Sequence, residues 1–444
     1  MKRLLVCALA FLLAIQCVDY CTGTEALAVA LSLYTFQTFV HRVGERIALL
    51  ECISFIAALE ILLVPAITYW VFPASMPVES ATYFSYTLPA YSTFHIGLFW
   101  LRKNDSKRPH LLYIQDATAY LQDKKAASFV LLIIGLLGFS VKTFVPTAPT
   151  ILGTLPAYCL FISAFYAYYS GSLYRVLILT TVFAVLVTYT IQAGMFGELF
   201  FWIMLLVIFS AAGRLNPLTI RTKTIFVSLA FVFLLLIQSI KGEYRYNTWG
   251  HQRGERTGNA GLMSDLLTDR LTHPEKLLNV DHLFLSFVRF NQGIMIGSAM
   301  TKVPMHESYA NGDVLLSFIY PFVPRLMWPN KPQTGGYENI RRFTTLPQSE
   351  NTSINLSPLG EGYVNFGYGG ILFSLLYGLL LSGVFRYVLQ LAAHVPSLIL
   401  WLPMLYIGCL TMETDLLSTW GSLVNNAIFI ALLFWFMKRI GIHL

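Results

Sequence analysis

The stretch YPFVPRLMWPNKPQTGGYENIRRFTTLPQSENTSINLSPLGEGYVNFGYGG, Tyr320–Gly370, is unlike the rest of the chain. Pro321, Pro324, Pro329 and Pro332 fall close together in it. A regular helix cannot hold them, because each lacks a backbone N–H and restricts the residue before it. The cations Arg325, Lys331, Arg341 and Arg342 follow. Then come the polar run Ser349-Glu350-Asn351-Thr352-Ser353 and Glu361, set between Gly360 and Gly362. Nearly everything outside this stretch is apolar and helix-like. That contrast decides the fold class: a hydrophobic helical scaffold holding one polar, irregular segment at a membrane surface.

Composition agrees. Of 444 residues, 56% are hydrophobic and 12% charged, against about 25% charged in a soluble domain. The formal net charge of +7 reflects Lys and Arg in cytoplasmic connections rather than nucleic-acid binding. Cys7, Cys17, Cys21, Cys52, Cys159 and Cys409 sit mostly in apolar runs with no metal-ligand spacing. They read as packing residues, with Cys17 and Cys21 close enough in sequence for a disulfide. Met1-Lys2-Arg3 and the apolar run to Val18 read as an uncleaved first helix rather than a signal peptide, since Ile15-Gln16-Cys17 makes a poor cleavage site.

Apolar runs are expected to span the bilayer near 4–18, 26–40, 47–72, 82–101, 126–145, 151–170, 173–192, 196–213, 223–240, 368–391, 396–412 and 423–440. The fold class is therefore an all-α polytopic integral membrane protein with about a dozen transmembrane helices. Basic residues mark alternate connections: Lys2 and Arg3, Arg42 and Arg46, the cluster from Arg102 to Lys125, Arg214 to Lys223, Arg386, and Lys438 with Arg439. The connections 19–25, 73–81, 146–150, 193–195 and 413–422 are nearly free of them. This alternation predicts both termini in the cytoplasm.

It also predicts residues 241–367 as one large late loop on the outer face, between an N-terminal bundle (1–240) and C-terminal helices (368–444). A connection of that length is normally functional. Its charge is nearly balanced, twelve Lys/Arg against eleven Asp/Glu. Residues 241–276 read as polar and mobile. Leu277, Val280, Phe284, Phe287 and Val288 predict an amphipathic helix over 277–300, lying along the interface and carrying Arg289. Val314–Val323 is apolar but too short to cross, so it reads as a re-entrant or interfacial segment.

Arg289, Arg325, Lys331, Arg341 and Arg342 suit a phosphate or diphosphate at headgroup level, Arg as a planar donor fork and Lys as a point charge. Lipid headgroups would be met by the same residues. Glu361, with Glu350 and Glu338 upstream, is a candidate proton acceptor or an ion-pair partner. His251, His273, His282 and His306 show no zinc spacing. Glu51 and Glu60 are intramembrane carboxylates, functional candidates or polar glue between helices. Asp19 and Glu25 occupy a very short outer connection.

The blocks Arg289-Phe290-Asn291-Gln292-Gly293, Pro324-Arg325-Leu326-Met327-Trp328-Pro329-Asn330-Lys331-Pro332, Arg341-Arg342-Phe343, Ser349–Ser353 and Leu359-Gly360-Glu361-Gly362-Tyr363-Val364-Asn365-Phe366-Gly367 resemble, in order and spacing, the Wzy-type polymerases of oligosaccharide repeat units, which build O-antigen and exopolysaccharide. The resemblance covers roughly 285–370, and Arg325 to Gly336 also has the family's Arg-x10-Gly form. It implies a GT-C-like membrane glycosyltransferase in a bacterial inner membrane, with the large loop periplasmic. Such an enzyme moves a growing glycan from undecaprenyl pyrophosphate to a sugar hydroxyl of a new lipid-linked unit. On that reading Arg289, Arg325, Arg341 and Arg342 hold the pyrophosphate with Lys331 in support, and Glu361 is the first candidate for base. Arg325 stands with Glu361 in the catalytic pair, and Ser349, Asn351 and Asn365 bind sugar hydroxyls. No metal, cofactor or nucleic acid is expected. The expected partners are the lipid-linked donor and acceptor, membrane lipid, a chain-length regulator and a flippase. An O-antigen ligase, which uses the same donor, and a transporter or flippase of lipid-linked saccharides are the rival functions. A structural partner in an export complex would not need the arginines.

Overall fold

Leu49–Val71, Lys125–Phe144, Arg175–Ala193, Ile220–Thr248, Ser357–Ala392 and Leu416–Arg439 are helical stretches long and apolar enough to cross a membrane. The computed structural model describes residues 2–17, 21–101, 109–145, 149–216, 218–248, 258–278, 289–323, 327–328, 336–347 and 354–444. Among these residues the protein is all helix and turn, without a β-strand. It is an all-α membrane protein.

The first half follows the apolar runs. Helices α1 (Lys2–Cys17) and α2 (Gly23–Arg42) form an antiparallel pair. The third, α3 (Leu49–Val71), is interrupted by a π-turn at Leu59–Leu63, so its register shifts at Glu60. A π-turn inside an α-helix is costly and tends to mark function. Helix α4 (Ser80–Trp100) follows. The basic connection after it contains an additional helix, α5 (His110–Gln122). It is amphipathic: His110, Ile114, Ala117 and Leu121 are buried at helical spacing. Then come α6 (Lys125–Phe144), α7 (Cys159–Tyr169), α8 (Arg175–Ala193) and α9 (Gly197–Ala212). The runs 151–170 and 173–192 are thus separate helices.

Helix α10 (Ile220–Thr248) has 29 residues, about 43 Å at the usual rise, against a hydrocarbon layer of about 30 Å. Its apolar stretch ends at Ile240, and its last two turns are polar and carry Lys241 and Arg245. Residues 258–272 fold back on it instead of forming a mobile segment. Helix α11 (Ala260–Thr272) buries Met263 and Leu266 against Tyr244 and Ile240. Arg270 Nη2 donates to Glu243 at 2.7 Å.

The amphipathic helix expected over 277–300 is not one helix. Pro274–Leu278 is a 3-10 turn, 279–288 lie outside the described residues, and α12 (Gln292–Lys302) begins afresh after Asn291. This helix is not interfacial either. Gln292, Gly293, Ile294 and Ile296–Met300 are buried. Its residues alternate Gly, Ser and Ala with Ile and Met, so it carries no broad polar face to leave in water. The short apolar segment Asp313–Phe322 is a pair of 3-10 turns with Leu315, Leu316, Ile319 and Phe322 exposed.

Helices α13 (Tyr337–Phe343) and α14 (Ser357–Phe366) complete the insert. Ile296, Ala299, Val303, Ile340, Leu356 and Leu359 share one apolar core with the membrane helices. The long connection is built into the bundle rather than hung from it.

The C-terminal part comprises α15 (Gly370–Ala392), a broken helical segment Pro396–Cys409, and α16 (Leu416–Arg439). Helices α15 and α4 touch backbone to backbone. A Cβ on Gly97 would lie 2.4 Å from Leu375 O, and one on Gly378 2.4 Å from Phe94 O. Small residues let membrane helices approach this closely. Tyr86 OH, on α4, donates to Leu359 O at 2.7 Å and fixes α14 against the bundle. Cys21 is a free thiol, so no Cys17–Cys21 disulfide is present.

Candidate functional site

Between Cys409 and α16 the chain makes a short polar turn, Thr411-Met412-Glu413-Thr414-Asp415. Four carboxylates from three parts of the sequence converge on it. Glu60, on the π-turn of α3, accepts a hydrogen bond from Met412 N at 2.6 Å. Glu361, on α14, accepts from Leu416 N at 2.6 Å through one oxygen and from Asn339 Nδ2 at 2.8 Å through the other. Asp415 caps α16, accepting from Ser418 N at 2.8 Å. These bonds satisfy backbone N–H groups that a turn and a helix N-terminus leave open. Glu60, Glu361 and Asp415 are all buried.

Glu413 differs. Its side chain is 27% exposed, and its nearest cationic contact is Arg289 Nη2 at 3.5 Å, with Arg289 itself 46% exposed. Its backbone is held instead: Asn355 Nδ2 donates to Glu413 O at 3.0 Å. Lys241, on the polar C-terminal turns of α10, lies near enough to Arg289, Arg245 and Glu413 to feel their charges. Arg245 Nε also donates to Gly194 O at 2.9 Å, which anchors that end of α10 to the turn before α9. Arg289 is therefore the cation that meets this partly exposed carboxylate.

The same region holds buried oxygens without a hydrogen-bond partner among the described residues: Asn291 Oδ1, Gln292 Oε1, Asn355 Oδ1 and Thr414 Oγ1. Buried polar atoms are normally hydrogen-bonded, so a concentration of orphans marks a place where water or ligand is accommodated. Asn355 is pressed by Gly336, where a Cβ would fall 2.1 Å from Asn355 Oδ1. Gly336 also has φ +66, a conformation that favours glycine. The glycine of the Arg-x10-Gly spacing is therefore required by local geometry.

The residues singled out from sequence are dispersed. Arg289 lies at the turn just described. Arg341 is exposed on the last turn of α13, with no side-chain hydrogen bond or ion pair to another described residue. Arg342 is engaged in the insert: Nε meets Glu307 Oε1 at 2.9 Å and Nη1 meets Asp313 Oδ2 at 3.4 Å. The hydrogen bond it donates to Glu307, then the nearby carboxylate charges, hold its guanidinium pKa above the ordinary value. Asn365 is buried; its oxygen accepts from Gly312 N and Val314 N at 3.2 and 3.1 Å, and its amide donates to Glu361 O at 2.9 Å. Asn365 thus clamps the insert to α14. Glu361 is engaged at both oxygens, and a Cβ at Gly362 would meet Phe373 and Tyr86, so this block packs tightly. Arg325, Lys331, Ser349 and Asn351, with Glu350, His251 and His282, lie outside the described residues.

Elsewhere, Glu25 completes a capping box on α2 with Thr22 and accepts from Trp70 Nε1 at 2.6 Å and from Ser80 Oγ. Glu51 pairs with Arg46. Glu413 and Asp415 were not singled out from sequence. The available signal was modest: two carboxylates and two threonines in a short connection free of Lys and Arg, between two apolar runs.

A family profile described as a domain of unknown function, DUF8712, matches residues 81–391, well over half of the chain's 444. The chain belongs to this family. The DUF8712 match runs from α4 to α15 and includes Arg289, α13 and Glu361, whereas Glu60 and the 411–415 turn fall outside it. No curated protein and no solved structure matches the chain.

Proposed function

We propose that this protein is a polymerase of undecaprenyl-pyrophosphate-linked oligosaccharide repeat units. It would work in a bacterial inner membrane as a GT-C-like enzyme of about twelve spans, with both termini cytoplasmic and the 241–367 insert periplasmic. The observation that carries the reading is the meeting of Arg289 with the partly exposed Glu413 carboxylate at the 411–415 turn, beside Glu60 and Glu361. A lipid diphosphate sits at headgroup level, and a site for it needs cations at that depth beside an acceptor of protons. Residues 285–370, which carry the resemblance to repeat-unit polymerases, contribute Arg289, Asn339, Asn355 and Glu361 to the same place.

The reaction joins the anomeric carbon of the growing chain to a hydroxyl of the incoming unit, and the bond to diphosphate breaks. The cations would take up the negative charge that develops on the leaving group.

The test is polymerisation in vitro. Purified protein is mixed with lipid-pyrophosphate oligosaccharide from its own host, and the products are resolved on a gel. A ladder from the wild type that fades with Arg289→Ala supports the reading. Absence of a ladder, with the lipid-linked substrate instead crossing a proteoliposome membrane, replaces it with transport.

A further inference from the structure

We propose that Glu413 is the catalytic carboxylate of this site, taking the proton of the attacking hydroxyl while Arg289 receives the departing diphosphate. This rests on the glycosyl-transfer reading above. The argument starts from what each carboxylate at the 411–415 turn already does. Glu60 holds Met412 N, Glu361 holds Leu416 N and Asn339, and Asp415 holds Ser418 N. Each is buried and committed to a backbone N–H whose release would unravel the turn. Glu413, unlike the other three, has no side-chain hydrogen bond to the backbone of another described residue, keeps part of its side chain exposed, and meets Arg289 at a loose 3.5 Å. A group that must exchange a proton with substrate needs that freedom; a group that holds a fold does not have it.

A second, independent observation points to a ligand at this place. Asn355, 4% exposed, fixes the Glu413 backbone through Nδ2. Thr414 Oγ1, one residue along, is buried and without a hydrogen-bond partner among the described residues. A fixed backbone with a partly exposed carboxylate, beside a hydroxyl oxygen able to accept, suits a polyhydroxyl ligand such as a sugar.

The step balances. The acceptor oxygen forms a bond to the anomeric carbon, and its proton goes to the Glu413 carboxylate. The bond from the anomeric carbon to the diphosphate oxygen breaks, and its electron pair leaves with the lipid diphosphate. Arg289 stabilises that charge.

The test uses the full-length protein in detergent with the host's lipid-linked oligosaccharide, reading initial rates against pH and donor concentration. Glu413→Gln is expected to lower kcat by about 10²–10⁴-fold, with the donor KM within about threefold of wild type and the acidic limb of the pH–rate profile removed. Arg289→Gln is expected to raise the donor KM instead. Glu413→Asp, which keeps the charge on a shorter stem, is the second variant; a kcat at least tenfold lower at unchanged KM is expected, since a displacement of about 1 Å can cost 10²-fold. A wild-type ladder accompanied by a wild-type rate from Glu413→Gln, or by an unchanged kcat from Glu413→Asp, overturns the assignment while leaving the polymerase reading in place. No ladder from wild type on intact substrate overturns both.

Discussion

Removing the Glu361 carboxylate should destabilise the protein far more than removing that of Glu413, although both lie at the same turn. Glu361 is 1% exposed and accepts from Leu416 N at 2.6 Å and Asn339 Nδ2 at 2.8 Å. It thereby ties α14 to the start of α16 and to α13. Glu361→Ala leaves two donors without an acceptor in a place water does not reach freely. Each buried donor so orphaned costs about 1–3 kcal/mol, giving about 2–6 kcal/mol for the pair. Glu361→Gln keeps one acceptor oxygen but turns an amide N–H₂ toward the other donor, so about 1–3 kcal/mol is expected. Glu413→Gln breaks only a long, half-exposed contact to Arg289 and should stay within about 0.5 kcal/mol of wild type. The assay is unfolding in detergent, followed by tryptophan emission across a denaturant series. The expected order of midpoints is Glu361→Ala lowest, then Glu361→Gln, then Glu413→Gln level with wild type. A Glu361→Ala protein as stable as wild type would refute the reasoning, because the turn would then be held by something other than this carboxylate.

Gly336→Ala places a methyl 2.1 Å from Asn355 Oδ1 at φ +66; a loss of about 1–3 kcal/mol from backbone strain is expected, together with a slower ladder because Asn355 must leave Glu413 O, and an unaffected ladder would argue against the role given to Asn355. The hydrogen bond and charge of Lys276, with Arg270, hold the Asp269 pKa below its ordinary value. That contribution to holding the Pro274–Leu278 turn against the end of α11 is present above the ordinary aspartate range and is lost as pH falls through the depressed folded value. Amide exchange in 260–272 should accelerate at that acidic end, and Asp269→Asn should abolish the difference; exchange in this segment that is indifferent to pH after correction for the intrinsic rate would exclude the mechanism.

Much of the architecture was legible in the chain because it depends on local properties. Apolar runs of span length give helices wherever they occur, since a bilayer requires internal satisfaction of every backbone group. Leu49–Val71, Lys125–Phe144 and Leu416–Arg439 follow directly from that. Prolines and glycines of 320–370 mark irregular backbone for equally local reasons. The burial of α12 was not legible. Its apolar periodicity suits an interface or a core, and only the packing of Ile296 and Ala299 into the bundle decides between them.

The site depended still more on the tertiary structure. Glu361 stood out in sequence because it lies between glycines, yet Gly362 serves packing against Phe373 and Tyr86, and Gly360 packing against Ile296. Glu60, Arg289, Glu361 and Glu413 are far apart along the chain, and their meeting at one turn is set by the π-turn in α3 and the backbone contact of α4 with α15. Sequence alone determined an all-helical membrane protein with a polar insert. Which carboxylates hold the fold and which one stays free was decided by the offsets at which helices pack, a long-range property that no local pattern of residues encodes.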